Sequence, residues 1–243
     1  MPVSLVTGSS GAIGAAIARR LALPGTTVVL HYHMHRARTD ALADQIAALG
    51  ARPVPVGADL SDLGAVDRFA EQVLAQVGTP QRVVHAAGVH QFALVQELPL
   101  SQWRNLQDVH LGAAYRLLAA FLPGMIRTGF GRVLLIGSVF GLRGGAMEAG
   151  YAAAKAGLSA LARAMLGEVG RSGVTVNVLA PGAVATPMLD RLSEAELEDL
   201  RAAIPLGRLA DPEDIAAAAA FLLSEEAAYI SGCTLPVDGG YSI

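Results

Sequence analysis

Residues 3–14 read Val3-Ser-Leu-Val-Thr7-Gly8-Ser-Ser-Gly11-Ala-Ile-Gly14, a short apolar run followed by a glycine-rich turn. The apolar run predicts a buried strand, and the spacing of apolar residues over Ala12–Leu21 predicts a helix. The three glycines suit a tight strand-to-helix turn, a close backbone approach to a pyrophosphate and close helix–strand packing. The helix N-terminus would face the phosphates with its partial positive charge. This segment therefore predicts a dinucleotide-binding unit to which Gly8, Ser10, Gly11, Ile13 and Gly14 contribute.

The same alternation of short apolar runs and longer helical segments continues along the chain. Strands are predicted at Val3–Val6, Thr27–Leu30, Pro53–Val56, Arg82–His85, Val133–Ile136, Val174–Leu179 and Thr234–Val237. Helices are predicted at Ala12–Leu21, Thr39–Leu49, Leu63–Val77, Gln102–Ile126, Ala152–Val169 and Pro212–Leu223. Nearly continuous apolar runs are typical of strands buried on both faces, and the alternation favours right-handed βαβ crossovers. We therefore expect an α/β fold: one doubly wound parallel sheet (a Rossmann fold) with helices on both faces, in a single domain over residues 1–243.

The segment Pro187–Pro205 interrupts this alternation with an acidic run, Ser193–Asp199. It is predicted to be either a surface helix without further role or a mobile lid over a site, at residues 187–205.

Composition excludes several classes of protein. Hydrophobic residues make up 53% of the chain and charged residues 16%, which argues against disorder, and a net charge of −3 gives no reason to expect nucleic-acid binding. The single cysteine, Cys233, excludes an internal disulfide and fits a reducing compartment. No signal-peptide pattern precedes Val3, and the alanine-rich Ile215–Leu223 is too short to span a bilayer. We expect a cytoplasmic protein that binds neither nucleic acid nor membrane, and no metal site is predicted.

The end of the second predicted strand bears on the choice of cofactor. Leu30–His33 contains no acidic residue of the kind that binds a free ribose 2′-hydroxyl. The basic cluster His33, His35, Arg36 and Arg38 would favour a 2′-phosphate, so NADP(H) is predicted over NAD(H). The alternative is a solvated basic start to a surface helix.

Lys155 is the only lysine of the chain, whereas the other seventeen basic residues are arginines. It follows Tyr151 by four residues, so a helix would place both side chains on one face, one turn apart. A nearby ammonium favours the phenolate and lowers the pKa of a tyrosine, which suits proton transfer to a carbonyl oxygen. Ser138 ends the fifth predicted strand, at the sheet edge where such folds place ligands, and could hold that oxygen. Taken alone, Ser138 could equally cap a helix or turn.

These motifs together resemble the short-chain dehydrogenase/reductase (SDR) family over essentially the whole chain, and within it most of all the 3-oxoacyl-(acyl-carrier-protein) reductases. The motifs that carry the resemblance are Thr7–Gly14, Ala58-Asp59-Leu60, Ala86-Ala87-Gly88, Gly137-Ser138, Tyr151–Lys155, Asn177–Gly182, Thr186 and Val237–Gly240.

The resemblance implies roles for individual residues. Asp59 and Leu60 would contact the adenine, and Ala87 and Gly88 the adenine and ribose. Tyr151 and Lys155 would contact the nicotinamide ribose. The nicotinamide side would be lined by Pro181, Gly182, Val184 and Thr186.

The implied activity is NADPH-dependent reduction of a 3-oxoacyl thioester on acyl carrier protein to the 3-hydroxyacyl thioester, in fatty-acid or polyketide/polyene-type biosynthesis. The resemblance also implies a homotetramer built through Gln102–Ile126 and Ala152–Val169. An acidic carrier protein would dock on a basic patch, for which Arg127, Arg132 and Arg171 are candidates. Two alternatives stay open: an SDR oxidoreductase for another secondary alcohol or ketone (sugar, sterol or small molecule), or a weakly active cofactor-binding subunit of a hetero-oligomeric reductase.

Three positions depart from the family pattern. Ala12 stands where the turn usually has its middle glycine, and His85 replaces an amide side chain that helps to pin the neighbouring loops. His110 occupies the position of an asparagine that supports a water-linked proton path to the lysine. It could relay protons near neutral pH, or it could fill space and satisfy a backbone carbonyl.

Overall fold

The computed structural model describes residues 2–190 and 192–242, in which seven strands form one parallel sheet. The strands are β1 (Val3–Thr7), β2 (Thr27–Tyr32), β3 (Arg52–Gly57), β4 (Arg82–His85), β5 (Gly131–Ile136), β6 (Val174–Pro181) and β7 (Thr234–Val237). Their order in the sheet is β3-β2-β1-β4-β5-β6-β7. The chain order reverses between β1 and β4, where Thr7 pairs with His85. In such sheets ligands bind at this switch point, beyond the carboxyl ends of the strands.

Helices cover both faces of the sheet, as predicted. They are α1 (Ala12–Leu21), α2 (Arg36–Ala48), α3 (Leu63–Val77), α4 (Leu100–Gln107), α5 (Ala113–Thr128), α6 (Phe140–Arg143), α7 (Ala149–Val169), α8 (Glu194–Ala202) and α9 (Pro212–Leu222). Alternate strand residues serve two separate cores. Leu5 of β1 belongs to the cluster with α3, α5 and α7. Val6 belongs to the cluster with α1, α2 and α9. The predicted fold class is confirmed.

Local sequence signals explain several helix starts. Asp62 begins α3 by accepting a hydrogen bond from the Gly64 N–H at 2.8 Å, the cap expected of an acidic residue there. Ser193 begins α8, and its hydroxyl and the Glu196 carboxylate form a reciprocal capping box. A helix therefore exists within the segment 187–205.

The predicted single helix Gln102–Ile126 is interrupted. A π-helical turn, Asp108–Gly112, separates α4 from α5, and the Ala113 N–H bonds to the Asp108 carbonyl across it. The ring of His85 lies 3.1 Å from the Val109 carbonyl oxygen inside this turn. The apolar periodicity continues through the turn, so the sequence pattern does not reveal it.

Among the described residues, Leu100–Thr128 is the one helical segment long and apolar enough to cross a bilayer. However, 56% of its apolar window is buried inside the protein, which is the setting of a core helix. It packs against α3 and α7.

Candidate active site

A cleft of about 670 Å³ lies at the carboxyl edge of the sheet, a volume typical of small-molecule sites. It gathers almost every residue singled out in the sequence. Those that line it are Gly8, Ser10, Gly11, Ile13, Gly14, His33, Asp59, Leu60, Ala87, Gly88, His110, Ser138, Tyr151, Lys155, Pro181, Gly182, Val184 and Thr186.

The glycine turn leaves no room for side chains. Gly8 has φ +65°, and a Cβ there would lie 2.6 Å from the Cα of Ala87. A Cβ on Gly14 would lie 2.3 Å from the Gly8 carbonyl oxygen. Gly11 caps α1 without a side-chain hydrogen bond, and the first turn of α1 contains no acidic residue. Because this helix N-terminus lines the cleft with its amides uncapped, it suits an anion such as a pyrophosphate. The turn survives the alanine at position 12.

The basic cluster after β2 divides into two sets. Arg38 lines the cleft together with His33, whose Nε2 lies 3.8 Å from Asp59 Oδ2. Arg36 does not line it: its Nε lies 3.5 Å from Asp40 Oδ2 on an exposed helix surface. Residues two apart on a helix point roughly 200° away from each other, so the two arginines face different directions. Arg38 is the one that lines the cleft, and a contribution of Arg36 to cofactor binding stays a prediction.

Ser138 bonds the backbone at the start of α6 and also contacts Tyr151, while its predicted role of holding the substrate oxygen stays a prediction. Its Oγ accepts a hydrogen bond from the Phe140 N–H at 3.2 Å, which caps the start of α6. It also hydrogen-bonds the Tyr151 side chain, an interaction that opposes the rise in the tyrosine pKa. Since the backbone amide occupies a lone pair of Oγ, the hydroxyl proton is available for the phenol oxygen.

Burial dominates the electrostatics of Tyr151 and Lys155. Lys155 is 4% exposed, its Nζ donates to the Ile136 carbonyl at 2.6 Å, and it lies 5.5 Å from the centroid of the Tyr151 ring. Burial lowers the pKa of Lys155 to about 7. Burial, with a smaller contribution from the Glu148 charge, raises the pKa of Tyr151 to about 12. The expected lowering of the tyrosine pKa is therefore not seen, because desolvation of the phenolate is the largest effect.

His110 satisfies a backbone carbonyl and fills space beside Tyr151. Its Nε2 lies 2.7 Å from the Val89 carbonyl oxygen, and its ring meets that of Tyr151 edge-on at 5.3 Å. Burial holds the pKa of His110 well below its usual value, which disfavours a relay that protonates the ring near neutral pH. The buried Nδ1 has no hydrogen-bond partner within the described residues.

His85 pins the loops that an amide was expected to pin. Its Nδ1 lies 3.0 Å from the Thr7 hydroxyl oxygen, which itself accepts hydrogen bonds from the amides of Ala86 and Ala87 at 3.1 Å. The hydroxyl proton is then directed to Nδ1, so Nε2 carries the ring proton and donates to the Val109 carbonyl. The histidine thus joins β1, β4 and the π turn, and the sequence-based expectation of lost pinning is wrong.

Sequence reasoning missed His90 and Glu148, which also line the cleft. The Nε2 of His90 lies 2.8 and 3.0 Å from the two carboxylate oxygens of Glu148. No periodic motif connects these two loop positions, which are 58 residues apart in the chain.

The segment 187–205 contributes an apolar wall. Met188, Leu189, Leu192 and Leu200 line the cleft. Closure of this segment over the site stays a prediction.

The arginines considered for carrier-protein docking lie away from the cleft. Arg127 and Arg171 are exposed, but they precede β5 and β6, at the edge of the sheet opposite the carboxyl ends. Arg132 is buried, and its guanidinium donates to the carbonyls of Ser224, Gly131 and Gly173. Arg132 therefore has a structural role, and within one subunit the three do not form a basic patch at the site mouth.

The cleft at the switch point of this doubly wound sheet holds a glycine-rich turn of the phosphate-binding type. It also holds Ser138, Tyr151 and Lys155. Together these features define a nicotinamide-dependent oxidoreductase. The comparisons with known proteins agree. The family model described as enoyl-(acyl carrier protein) reductase matches residues 8–242. The chain belongs to the short-chain dehydrogenase/reductase family.

Relatives within this family match the chain along its length. The 3-oxoacyl-(acyl-carrier-protein) reductase FabG of Pseudomonas aeruginosa is 40% identical over 238 residues, covering 98% of this chain and 96% of the relative. The acetoacetyl-CoA reductase of Allochromatium vinosum is 35% identical over 239 residues, covering 98% and 97%. A blue fluorescent protein from a metagenomic library, solved in complex with NADPH, superimposes with a TM-score of 0.92 at 32% identity, covering 100% of this chain and 98% of that one.

Proposed function

We propose that the protein reduces a 3-oxoacyl thioester to the 3-hydroxyacyl thioester with NADPH, in the cytoplasm and as a homotetramer. The observation that carries the proposal is the placement of the Tyr151 phenol, hydrogen-bonded to Ser138, beside buried Lys155 in the switch-point cleft. Relatives named for reduction of 3-oxoacyl and acetoacetyl thioesters support the substrate class.

The cleft has residues suited to each part of the nucleotide. The uncapped N-terminus of α1 would hold the pyrophosphate, and Arg38 with His33 would hold a 2′-phosphate. Asp59, Leu60, Ala87 and Gly88 would surround the adenosine. The nicotinamide side would be lined by Pro181, Gly182, Val184 and Thr186. When bound, the nicotinamide supplies the hydride that reduces the carbonyl carbon.

The chain supplies the proton. Ser138 and Tyr151 would both donate to the substrate carbonyl oxygen, and Tyr151 would transfer its proton as negative charge develops there. A phenol with a pKa of about 12 remains a stronger acid than an aliphatic alcohol, so this transfer is favourable despite burial. The ammonium of Lys155, 5.5 Å from the ring, would stabilise the resulting phenolate.

A coenzyme A thioester is a second candidate for the physiological substrate. Arg127 and Arg171 lie at the opposite edge of the sheet, and Arg132 is buried. Within one subunit, these arginines therefore provide no basic patch at the cleft for an acidic carrier protein.

Initial rates of NADPH oxidation test both candidates. Acetoacetyl groups on acyl carrier protein and on coenzyme A are compared with free ketones and with a crotonyl thioester, which reports enoyl reduction. We expect turnover of the acetoacetyl thioesters, and the carrier with the higher kcat/KM identifies the physiological form. Activity on free ketones or on the crotonyl thioester alone would overturn the proposal.

A further inference from the structure

His90 and Glu148 form a buried acid–base pair next to Tyr151 that the proposed proton transfer does not use. The Glu148 carboxylate is 1% exposed and lies 2.8 and 3.0 Å from His90 Nε2. The histidine ring also contacts the Tyr151 ring edge-on, with 4.8 Å between centroids. A buried carboxylate is rare unless it is paired, so the pair is a specific feature of this cleft.

The backbone next to the pair adopts an energetically unfavourable conformation. Met147, immediately before Glu148, adopts φ +63°, a left-handed conformation that is uncommon for a residue other than glycine. The Ala93 N–H donates to the Met147 carbonyl at 3.1 Å, so the loops that carry His90 and Glu148 are joined by backbone as well. Strain of this kind persists where the surrounding structure over-determines it, as at ligand sites.

The chemistry of the ring points to a ligand. Its Nε2 is committed to the carboxylate, which leaves Nδ1 as the ring nitrogen that could contact a ligand. In the protonated ring, Nδ1 is a second donor. His90 lines the same cleft as Tyr151, and the two rings are in contact.

We propose that His90, whose Nε2 is paired with the Glu148 carboxylate, donates through Nδ1 to a second carbonyl oxygen of the substrate, one carbon removed from the ketone that is reduced. In a 3-oxoacyl thioester this is the thioester carbonyl. The two carbonyl carbons of such a substrate are separated by a single methylene, so an oxygen beside Tyr151 and another beside the adjoining ring are compatible. His90 is then a substrate-binding residue and Glu148 a positioning residue. This inference deepens the proposed function, on which it rests.

The test compares variants on substrates with and without the second carbonyl. His90→Phe keeps a ring edge against Tyr151 but removes both nitrogens, and Glu148→Gln keeps an acceptor for Nε2 but removes the charge. Gln91→Ala, an exposed change in the same loop, is the matched control. Values of kcat/KM with NADPH are measured for acetoacetyl-CoA, ethyl acetoacetate and 2-pentanone. Because each variant is compared with the parent on the same substrate, differences in intrinsic ketone reactivity cancel.

We expect His90→Phe to lower kcat/KM for both dicarbonyl substrates about 10- to 100-fold, mostly through KM, which is the effect of losing a hydrogen bond that the paired carboxylate strengthens. The value for 2-pentanone should change less than about threefold. Glu148→Gln should give a smaller loss with the same selectivity, and Gln91→Ala should change nothing. If His90→Phe does not fold because Glu148 is left unpaired, the double variant His90→Phe/Glu148→Gln makes the same comparison.

The outcomes separate this inference from the proposed function. Equal losses on all three substrates, or no loss on any, would overturn the role of His90. Turnover of ethyl acetoacetate without any thioester, with a selective loss in His90→Phe, would uphold it while refuting thioester reduction. A parent protein that reduces none of the three would refute both.

Discussion

The Nζ of Lys155 donates to the carbonyl oxygen of Ile136 at 2.6 Å, which ties α7 to the carboxyl end of β5. The carbonyl fixes the direction of the ammonium, and the enclosure around it lowers the lysine pKa to about 7. A cation in so confined a position is not interchangeable with a wider, planar guanidinium.

We therefore expect Lys155→Arg to be nearly as damaging as Lys155→Met. Neither variant can place an ammonium in this position to stabilise the Tyr151 phenolate. We expect kcat for acetoacetyl thioester to fall about 100-fold or more in both variants. Rates of NADPH oxidation, with circular dichroism to verify folding, measure the effect. Near-normal turnover by Lys155→Arg would show that a positive charge alone is sufficient.

Cofactor choice is tested by two arginines that are two residues apart. Arg38 lines the cleft, whereas Arg36 is paired with Asp40 on the exposed surface. Arg38→Ala should weaken NADPH binding about tenfold and leave NADH binding nearly unchanged, because only NADPH has the 2′-phosphate. Arg36→Ala, the matched control, should alter neither by more than about twofold. Fluorescence titration gives the dissociation constants. Tighter binding of NADH than of NADPH by the parent protein would contradict the cofactor assignment.

Acid should destabilise the fold through its buried histidines. Burial lowers the pKa of His31 to about 4 and of His85 to about 3, and holds that of His110 well below 6.5. Below pH 6.5 the unfolded chain takes up protons that the native protein does not, so this stability is present above pH 6.5 and is lost as the pH falls toward 4. Each histidine contributes a slope of at most about 1.4 kcal/mol per pH unit, so the three together give up to about 4 kcal/mol per pH unit.

Denaturant unfolding at pH 7.5, 6.0 and 5.0 measures this slope. His85→Asn, which restores an amide at that position, should make the slope shallower by roughly one third because one titrating site is removed. An unfolding free energy that stays constant over this range would mean that the histidines are protonated in the native protein.

Substitution of glycine by alanine should have opposite effects at Gly8, in the glycine turn, and at Gly167, in α7. Gly8→Ala introduces a Cβ 2.6 Å from the Ala87 backbone at a positive φ, so it should destabilise the fold and abolish NADPH binding. Gly167→Ala lies in α7 with no atom within 4 Å of the new Cβ, and it should stabilise the protein by up to about 1 kcal/mol. Thermal unfolding and NADPH titration of both variants make the comparison. Retention of NADPH affinity in Gly8→Ala would contradict the proposed phosphate site.

Sequence reasoning predicted the features that depend on local pattern. The strands, the glycine turn at residues 8–14 and the i, i+4 pair Tyr151 and Lys155 follow from spacing alone, and parallel strands bring such motifs to one edge. The direction of a side chain around a helix was harder to predict, so the sequence did not show which of Arg36 and Arg38 lines the cleft.

Features that depend on contacts between distant segments were not predictable. The pKa of Tyr151 is set by how deeply the fold buries it, which spacing does not report. The pairing of His90 with Glu148 joins two loops whose sequences carry no signal of each other. The same holds for His85, whose second partner, Val109, is visible only in the folded chain.

The π turn at Asp108–Gly112 has a consequence for length variation in this helix. A π turn accommodates one more residue than an α-helical turn, so the helix beyond it is rotated by about 100° relative to an uninterrupted one. Both Leu106 before the turn and Leu117 after it are buried under this rotation. Deleting a single residue here would remove that extra 100° together with the π turn, so both halves could keep their apolar sides inward in a regular helix. A one-residue deletion inside the turn should therefore be tolerated far better than a one-residue deletion within α4 or α5, which would turn the residues beyond it by about 100°.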